Sequence, residues 1–433
     1  MKLKIDRELL PEKRLGLATT TLIGVGGILG AGIYVLVGIA ASHAGNAVWL
    51  SFLLAAAGAG LTGITYARLV RMRPKDAPEF HYVDMAFGRR TGFLAGWLML
   101  WARVISVAIV SWGFAGYMSR LSGLPMLTSA LGLVFFSTLV LLLGLGESAL
   151  MAGVLTGLEI LGLAIIIAIG TPHIGRFDFW EMPRGISGVI GAASLVFFVY
   201  LGFQDMVNFA EEMKDPVRDL PKAILLALAI CTFFYMLVSL AAISVLGWES
   251  LSRSTAPLAE VAFRGLGAKA DLVLTLIALA STANTALIML FSTSRAMWAM
   301  ACAGVLPGMF CRISQNRRTP WTAILTAGFM AGAFAVLTGI ERTAQAANFA
   351  ILLAFCMVNA GAIKIFGTEA HPGGAGRLFP DIVLPAAGMA VCIWLASQTG
   401  WFATLLGAGL LFAGMLVYPL MGLISRKPSS PVR

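Results

Sequence analysis

The chain alternates between apolar runs of about twenty residues and shorter polar segments. A helix of that length crosses the ~30 Å hydrocarbon core of a bilayer, so each run predicts one membrane span. The pattern predicts an all-α polytopic membrane protein with twelve transmembrane helices. Their approximate bounds are 15–40, 46–68, 93–119, 124–144, 148–170, 186–210, 221–246, 271–300, 320–338, 343–365, 379–397 and 401–424.

The composition excludes a set of soluble domains. Of the 433 residues, 59% are hydrophobic and only 12% are charged, and the mean hydropathy is +0.87. The segment Met1–Arg14 is charged, and the apolar run after it is longer than that of a signal peptide and has no clear cleavage site. We therefore expect the first run to be a membrane span.

The distribution of basic residues orients the spans. With the N-terminus placed inside, inner segments carry 22 of the 31 Lys and Arg residues, outer loops carry 7, and Arg103 and Arg295 lie within spans. Cytoplasmic loops of membrane proteins show such an excess. The asymmetry predicts a multi-pass protein of the cell (plasma or inner) membrane with both termini cytoplasmic, and it accounts for the net charge of +10 without nucleic acid.

Span 1 contains five glycines within nine residues, from Gly24 to Gly32. Each glycine costs a helix about 1 kcal/mol relative to alanine, and loosened backbone groups find no water in hydrocarbon. Non-helical backbone at that depth is tolerated where it lines a cavity and binds something. The alternative is close helix packing, because Gly26 and Gly30 have the four-residue spacing that lets helices touch.

Span 6 has a comparable interruption, because Gly202 and the polar residues Gln204 and Asp205 lie near its middle. Spans 1 and 6 are each the first of five, and paired interruptions at matching places are typical of a transporter's midplane binding site. Two unrelated kinks are the alternative. The pattern divides the chain into a cytoplasmic segment (1–14), a first repeat (15–170), an inverted second repeat (186–365), two further spans (379–424) and a cytoplasmic tail (425–433).

Two charged residues, Arg103 and Glu159, lie near the middle of spans 3 and 5. Charges inside a membrane are costly unless they are paired, and they often mark function. Three interpretations remain open. The two residues form a structural salt bridge, Glu159 is a protonatable coupling group, or Arg103 faces an anionic substrate side chain.

Three motifs resemble the amino acid–polyamine–organocation (APC) superfamily of secondary transporters, along most of the first ten spans. The segment Gly30–Tyr34 is similar to the G-S-G-I-F of the family's broken first helix. Tyr200–Gln204, followed by Ala210–Pro216, resembles its sixth helix and the loop after it. The end of span 8, with Ala301–Pro307 and then Thr319–Pro320, resembles its eighth helix and short loop.

The resemblance implies a five-plus-five inverted repeat of the LeuT type, followed by two peripheral helices. It also implies that substrate binds at unwound segments around Gly30 and Gly202. The backbone N–H groups of Ala31 and Gly32 would take a substrate carboxylate, which the positive end of a helix dipole also favours. The C=O groups that would take the amino group are those of Ile28, Phe198 and Leu201.

Two positions depart from the family pattern. Many proton-coupled or exchanging relatives have a lysine in span 5 where this chain has Glu159, and an acid commonly follows the Gly-Phe of span 6 where this chain has Gln204. The coupling of lysine-bearing members therefore does not carry over. In relatives, Ser281 and Thr282 of span 8 approach the same region and could complete a sodium-like site with Glu159. Ordinary hydrogen bonds between neighbouring helices are the alternative.

No catalytic set, phosphate-binding loop or metal constellation occurs in the sequence, and the five cysteines are expected to be small apolar residues without disulfides. We therefore predict no enzyme, no cofactor and no metal.

The predicted function is that of an amino acid permease, a secondary active transporter working by alternating access in proton-coupled symport or exchange. The alternative is a polyamine or organic-cation exchanger of the same superfamily. The expected partners are a small-molecule substrate (an amino acid or amine), the lipid bilayer and protons; neither nucleic acid nor a partner subunit is predicted.

Overall fold

The computed structural model describes residues 15–72, 77–144, 149–314, 317, 319–337, 340–368 and 379–424. The predicted terminal segments 1–14 and 425–433 lie outside these residues. Within the described part the chain is helical and contains no strand. The helices are α1 Leu17–Ala44, α2 Val48–Met72, α3 Pro78–Phe87, α4 Arg89–Ser122, α5 Met126–Leu142, α6 Ala149–Gly170, α7 Gly185–Val196, α8 Pro216–Arg253, α9 Pro257–Leu266, α10 Ala268–Cys302, α11 Trp321–Leu337, α12 Ile340–Thr368, α13 Leu384–Ser397 and α14 Trp401–Ile424.

Nine helical stretches of the described residues are long and apolar enough to cross a membrane. The first of them, Leu17–Met72, contains both α1 and α2. Two further apolar helices, α5 and α11, have 17 residues each. Helices satisfy their own backbone polar groups, which is required where no water is present. The predicted all-α polytopic membrane protein is confirmed.

Two ten-residue helices, α3 and α9, lie in segments that the sequence predicts as loops. Each begins with a proline, Pro78 or Pro257, which suits a first helical position because no N–H donor is needed there. Each ends at a glycine of positive φ, 87° at Gly88 and 80° at Gly267, and a long helix begins at the next residue. The succession α3–Gly88–α4 is thus matched by α9–Gly267–α10.

Helix α1 lies at the centre of the molecule. It packs chiefly against α8 and α7, and also against α6 and α10. Every residue from Ile28 to Val37 is buried. A parallel backbone bridge joins Leu15 to Met213, so the segment leading into α1 lies beside the segment that follows span 6. The centre of the fold therefore contains the glycine-rich part of α1.

Helices α13 and α14 lie at the periphery. They contact α12, and α13 also contacts α2 while α14 contacts α4. Large apolar side chains such as Trp401 and Phe412 are exposed on α14. A helix surface of this kind is suited to hydrocarbon rather than water.

The expectation that the cysteines are free of disulfides is wrong for two of them. Cys302 at the end of α10 and Cys311 form a disulfide, with their Cα atoms 5.1 Å apart. The chain reverses direction between them at Gly304, where φ is 74°, and residues nine apart come together. The free cysteines are buried or half-buried, as expected: Cys231, Cys392 and Cys356.

Candidate functional site

Helix α1 is interrupted near its middle. Gly30 has φ −7° and ψ −139°, which are not helical values, and regular helix continues on both sides. A Cβ on Gly30 would collide with the hydroxyl of Thr285 on α10, and one on Gly26 would collide with Thr156 on α6. The glycines therefore serve both alternatives considered from the sequence, because they break the helix and also let neighbouring helices approach.

Span 6, predicted at 186–210 and observed as helical segments between Gly185 and Glu212, is interrupted as predicted. Helix α7 ends at Val196, a 3-10 turn covers Phe197–Tyr200, and Leu201 is extended. Gly202 follows with φ 123°, and a second 3-10 segment begins at Asp205. A side chain at Gly202 would be strained by this φ and would meet the carbonyl oxygen of Gly27 at 2.9 Å. Only glycine fits here.

The two interruptions meet. Gly32 of α1 lies against Val199 of span 6, so closely that an added Cβ would be 2.9 Å from the Val199 Cα. The hydroxyl of Tyr235 on α8 contacts the carbonyl oxygens of both Ile28 and Val199, at 2.8 Å from the latter. One side chain therefore bridges the two broken segments.

Three of the backbone groups predicted to bind substrate, those of Ile28, Ala31 and Phe198, are engaged within the protein. The N–H of Ala31 donates to Thr285 Oγ1 at 3.0 Å, and the carbonyl of Phe198 accepts from the N–H of Leu201 at 3.1 Å. The Ile28 carbonyl accepts from Tyr235. Sequence reasoning missed Thr285 and Tyr235, although both are hydroxyl-bearing residues in the middle of apolar runs.

Two small cavities lie where the interruptions meet. One, of about 20 Å³, is bordered by Gly27, Gly202 and Asp205. The other, of about 10 Å³, is bordered by Gly27, Phe198 and Thr285. Each has room for about one water molecule at most. A larger molecule can therefore enter only if the helices separate.

The Arg103 cluster, which we define as Glu79, Arg103 and Asp205, adjoins the first cavity. The guanidinium of Arg103 lies 2.7 Å from Asp205 Oδ1 and 3.4 Å from Glu79 Oε1. The alternative in which Arg103 forms a salt bridge with Glu159 is therefore wrong. Long side chains lean toward the N-terminal end of their helix, and α3 packs on that end of α4, where Gly92 and Gly96 admit Phe80.

Three polar side chains complete the surroundings of this cluster. Tyr66 donates its hydroxyl proton to Glu79 Oε1 at 3.1 Å. Ser292 donates to Asp205 Oδ1 at 2.8 Å, and the Gln204 amide contacts Asp205 Oδ2 at 3.4 Å. The Gln204 oxygen in turn accepts from the N–H of Gly202 at 3.1 Å. The sequence does not predict Glu79 as a site residue, because it lies in a segment between two predicted spans.

Glu159 is buried on α6, on another side of α1. The hydroxyl of Tyr34 contacts the Glu159 backbone oxygen at 3.5 Å. The Thr282 hydroxyl donates to the Ala278 carbonyl in its own helix at 2.7 Å, and Ser281 accepts from Thr285 through its backbone oxygen. A sodium-like site that joins these residues to Glu159 stays a prediction.

The chain matches the amino acid permease family over residues 15–425. It is 28% identical to the branched-chain amino acid permease BcaP of Bacillus subtilis (strain 168), over 96% of this chain and 94% of that protein. It is 29% identical to the methylthioribose transporter of the same bacterium, over 86% of each. It is 30% identical to the vacuolar cationic amino acid transporter 4 of Arabidopsis thaliana, over 80% of this chain and 62% of that protein.

The matched region contains both helix interruptions, the cavities between them and the Arg103 cluster. The resemblance carried by the three sequence motifs is confirmed by these similarities. The chain therefore belongs to the amino acid permease family, within the APC superfamily.

Proposed function

We propose that the protein is a secondary active transporter that moves amino acids across the cell membrane by alternating access, in proton-coupled symport or exchange. The observation that carries this proposal is the meeting of two helix interruptions, bridged by Tyr235. Broken helices present backbone groups and dipole ends to a ligand at the middle of the membrane. Substrate would bind between Ile28, Gly30, Ala31 and Gly32 on one side and Phe198, Leu201 and Gly202 on the other.

The small size of the cavities supports alternating access. A site that holds about one water in this state must widen to admit an amino acid. The hydrogen bond from Ala31 to Thr285 would then be replaced by one to the substrate carboxylate. Opening toward one side of the membrane at a time would carry the substrate across.

The five-plus-five inverted repeat is part of the proposal. The interruptions of α1 and span 6 fall at corresponding places in the two halves, and so do the successions α3–Gly88–α4 and α9–Gly267–α10. Twelve spans result when α1 and α2 are counted separately and α5 and α11 are included. The excess of basic residues in alternate loops supports cytoplasmic termini.

The cavity lining favours an amino acid with an apolar side chain. The cavity beside Thr285 is otherwise bordered by glycines and by apolar residues, among them Val110, Phe198 and Met289. The neighbouring cavity is bordered by Asp205, whose carboxylate is already paired with Arg103. A polyamine or organic cation would have to compete with Arg103 for that carboxylate, so this second candidate is the weaker one.

Leucine counterflow in proteoliposomes tests the proposal. The purified full-length protein should catalyse saturable leucine exchange, and leucine should raise its thermal stability by mass action more than putrescine does. Flux that does not saturate would indicate a channel, and an altered product would indicate an enzyme. Saturable transport of putrescine without leucine transport would favour the amine exchanger instead.

Gly27→Ala tests the location of the site. Gly27 borders both cavities, and an added Cβ meets no atom within 4 Å, so the substitution places a methyl group in open space. We expect stability to rise by up to about 1 kcal/mol, as for Gly to Ala within a helix, while leucine affinity falls. Gly60→Ala is the matched control, because it is also helical and unhindered but lies on α2. Equal leucine affinity in the two variants would contradict this location.

A further inference from the structure

The Arg103 cluster is unbalanced in charge. Its side chains are almost dry, with exposed fractions of 1% for Glu79, 5% for Arg103 and 10% for Asp205. Two carboxylates face one guanidinium, and within the described residues no second cation lies at ion-pair distance from either acid. A buried excess charge is costly, and a group in this situation takes up a proton instead.

The distances indicate which carboxylate takes up the proton. Asp205 lies 2.7 Å from Arg103, the length of a strong charge-assisted hydrogen bond, and Ser292 donates to the same oxygen. Glu79 lies 3.4 Å from Arg103 and accepts from Tyr66 through Oε1. Asp205 therefore has the closer pairing with the guanidinium. Glu79 is farther from it and more deeply buried, which makes Glu79 the acid that takes up the proton, although the hydrogen bond from Tyr66 opposes this.

We propose that Glu79 binds the proton that is coupled to transport, and that Asp205 controls its release by binding or leaving Arg103. The coupling part of this inference rests on the proposed function, whereas the binding of the proton does not. The proton forms an O–H bond with a carboxylate oxygen of Glu79. On release it passes to water, and Glu79 becomes the counter-ion of Arg103.

The backbone connects this cluster to the candidate substrate site. The N–H of Asp205 donates to the carbonyl of Gly202 at 3.0 Å, and Asp205 borders the cavity next to Gly27. Substrate that widens this cavity moves Asp205 relative to Arg103. When Asp205 withdraws, the guanidinium stabilises an ionised Glu79, and the proton leaves. Substrate therefore acts on the Arg103 guanidinium through Asp205, and the proton acts on it through Glu79.

The groups facing Glu79 come from four elements. They are Tyr66 on α2, Arg103 on α4, Asp205 on span 6 and Tyr82 on α3 itself, whose ring meets that of Tyr66 edge to face. Helix α12 contributes Lys364, which lies over Phe87 at the far end of α3. Helix α3 is outside the membrane-spanning stretches, and burial raises the pKa of Glu79 above its usual range, with Arg103 opposing that shift.

The pH dependence of thermal stability tests proton binding with the proton as the only ligand. A carboxyl whose pKa is raised in the folded protein stabilises it at low pH, and this stabilisation is lost as the pH rises through the folded-state pKa. The melting temperature of the purified full-length protein should therefore fall as the pH rises above the ordinary carboxyl range, and it should level off above the raised pKa of Glu79. Glu79→Gln should flatten this slope, and the matched control Glu260→Gln, which lies in an exposed ion-pair cluster, should keep it.

Asp205→Asn is the second variant for this measurement. It leaves Arg103 with Glu79 as a balanced pair, so it should also flatten the slope, even if Glu79→Gln does not fold. The proposal is overturned if either folded variant keeps the wild-type slope. It is supported if both lose the slope and Glu260→Gln does not.

Leucine accumulation in proteoliposomes tests the coupling. Under an imposed pH gradient, Glu79→Gln should accumulate no more leucine than protein-free vesicles while still exchanging leucine for leucine, and Glu260→Gln should accumulate it. Accumulation by Glu79→Gln, together with its loss in Glu159→Gln, would overturn the proposal and assign the coupling to Glu159. If the wild type does not transport leucine, the proposed function fails for that substrate, and the pH slopes alone decide whether Glu79 binds the proton.

Discussion

Helix α4 carries two arginines that are bound in the same way in different surroundings. Arg103 contacts Glu79 of α3 and Asp205 of span 6, and Arg120 contacts Glu260 of α9 and Asp271 of α10. The two arginines are about 26 Å apart along the helix at 1.5 Å per residue. Each joins α4 to two acidic side chains, one of them on a ten-residue helix.

The two clusters differ in their exposure to water and in their number of cations. Side chains of the Arg120 cluster are 22–29% exposed, and Arg264 contacts Glu260 as well, so two arginines balance two acids. In the Arg103 cluster one arginine faces two acids in a nearly dry place. Ion pairs near water contribute little to stability and tolerate an excess of one charge. A buried charge without a partner is strongly destabilising. We therefore expect the contacts of Arg120 to be structural, and the imbalance at Arg103 is the basis of the proposed proton site.

Substitution of the two arginines should show the largest difference. Arg103→Met leaves two buried acids, Glu79 and Asp205, without a cation, and we expect it to lower the free energy of unfolding by about 3–5 kcal/mol. Arg120→Met removes an exposed partner and should cost about 1 kcal/mol or less. Unfolding of the purified proteins in detergent measures both changes. Similar losses in the two variants would show that burial does not separate the clusters.

Removal of one hydrogen bond from each cluster should have a smaller effect. Tyr66→Phe leaves the buried Glu79 Oε1 without its hydroxyl donor at 3.1 Å and should cost about 1–3 kcal/mol. Thr275→Val removes the 3.4 Å contact to Asp271 and should stay within about 0.5 kcal/mol. The same unfolding measurement applies. A larger loss in the free energy of unfolding for Thr275→Val than for Tyr66→Phe would contradict the expected order of the two clusters.

Salt should have the smallest effect, and only on the exposed cluster. A double-mutant cycle between Arg120 and Glu260 should give a coupling energy of about 0.2–1 kcal/mol. This energy should shrink at about 1 M salt, where the Debye length is about 3 Å. The coupling between Arg103 and Asp205 should not change with salt. A salt-sensitive Arg103 cycle would mean that water reaches this cluster.

The sequence predicts the helix interruptions because glycines and mid-span polar residues are local signals. Gly30 and Gly202 are both at non-helical positions, which glycine adopts at little steric cost because it has no Cβ. The sequence does not predict which side chains contact these interruptions. Tyr235 and Thr285 come from distant helices, and an apolar run gives no indication of which face will point at α1.

Arg103 illustrates the same limit for charges. Its burial follows from its place in an apolar run, but its partner does not, because pairing depends on where α3 packs. Helix α3 itself is signalled by Pro78 and Gly88, the start and stop residues of a short helix. The sequence predicts a polar loop around Glu79 and therefore does not predict its burial. That burial depends on contacts with Tyr66 and Arg103 rather than on its neighbours in the sequence.

The hydroxyl of Tyr235 has one proton and two carbonyl neighbours, on Ile28 and Val199. A buried donor that loses its acceptor costs about 1–3 kcal/mol. Tyr235 avoids this loss, because whichever broken segment moves away, the other still accepts the proton. In the proposed opening, the first displacement of one segment therefore leaves a single carbonyl to be satisfied by incoming water or substrate, and the spare acceptor lowers the barrier to that movement.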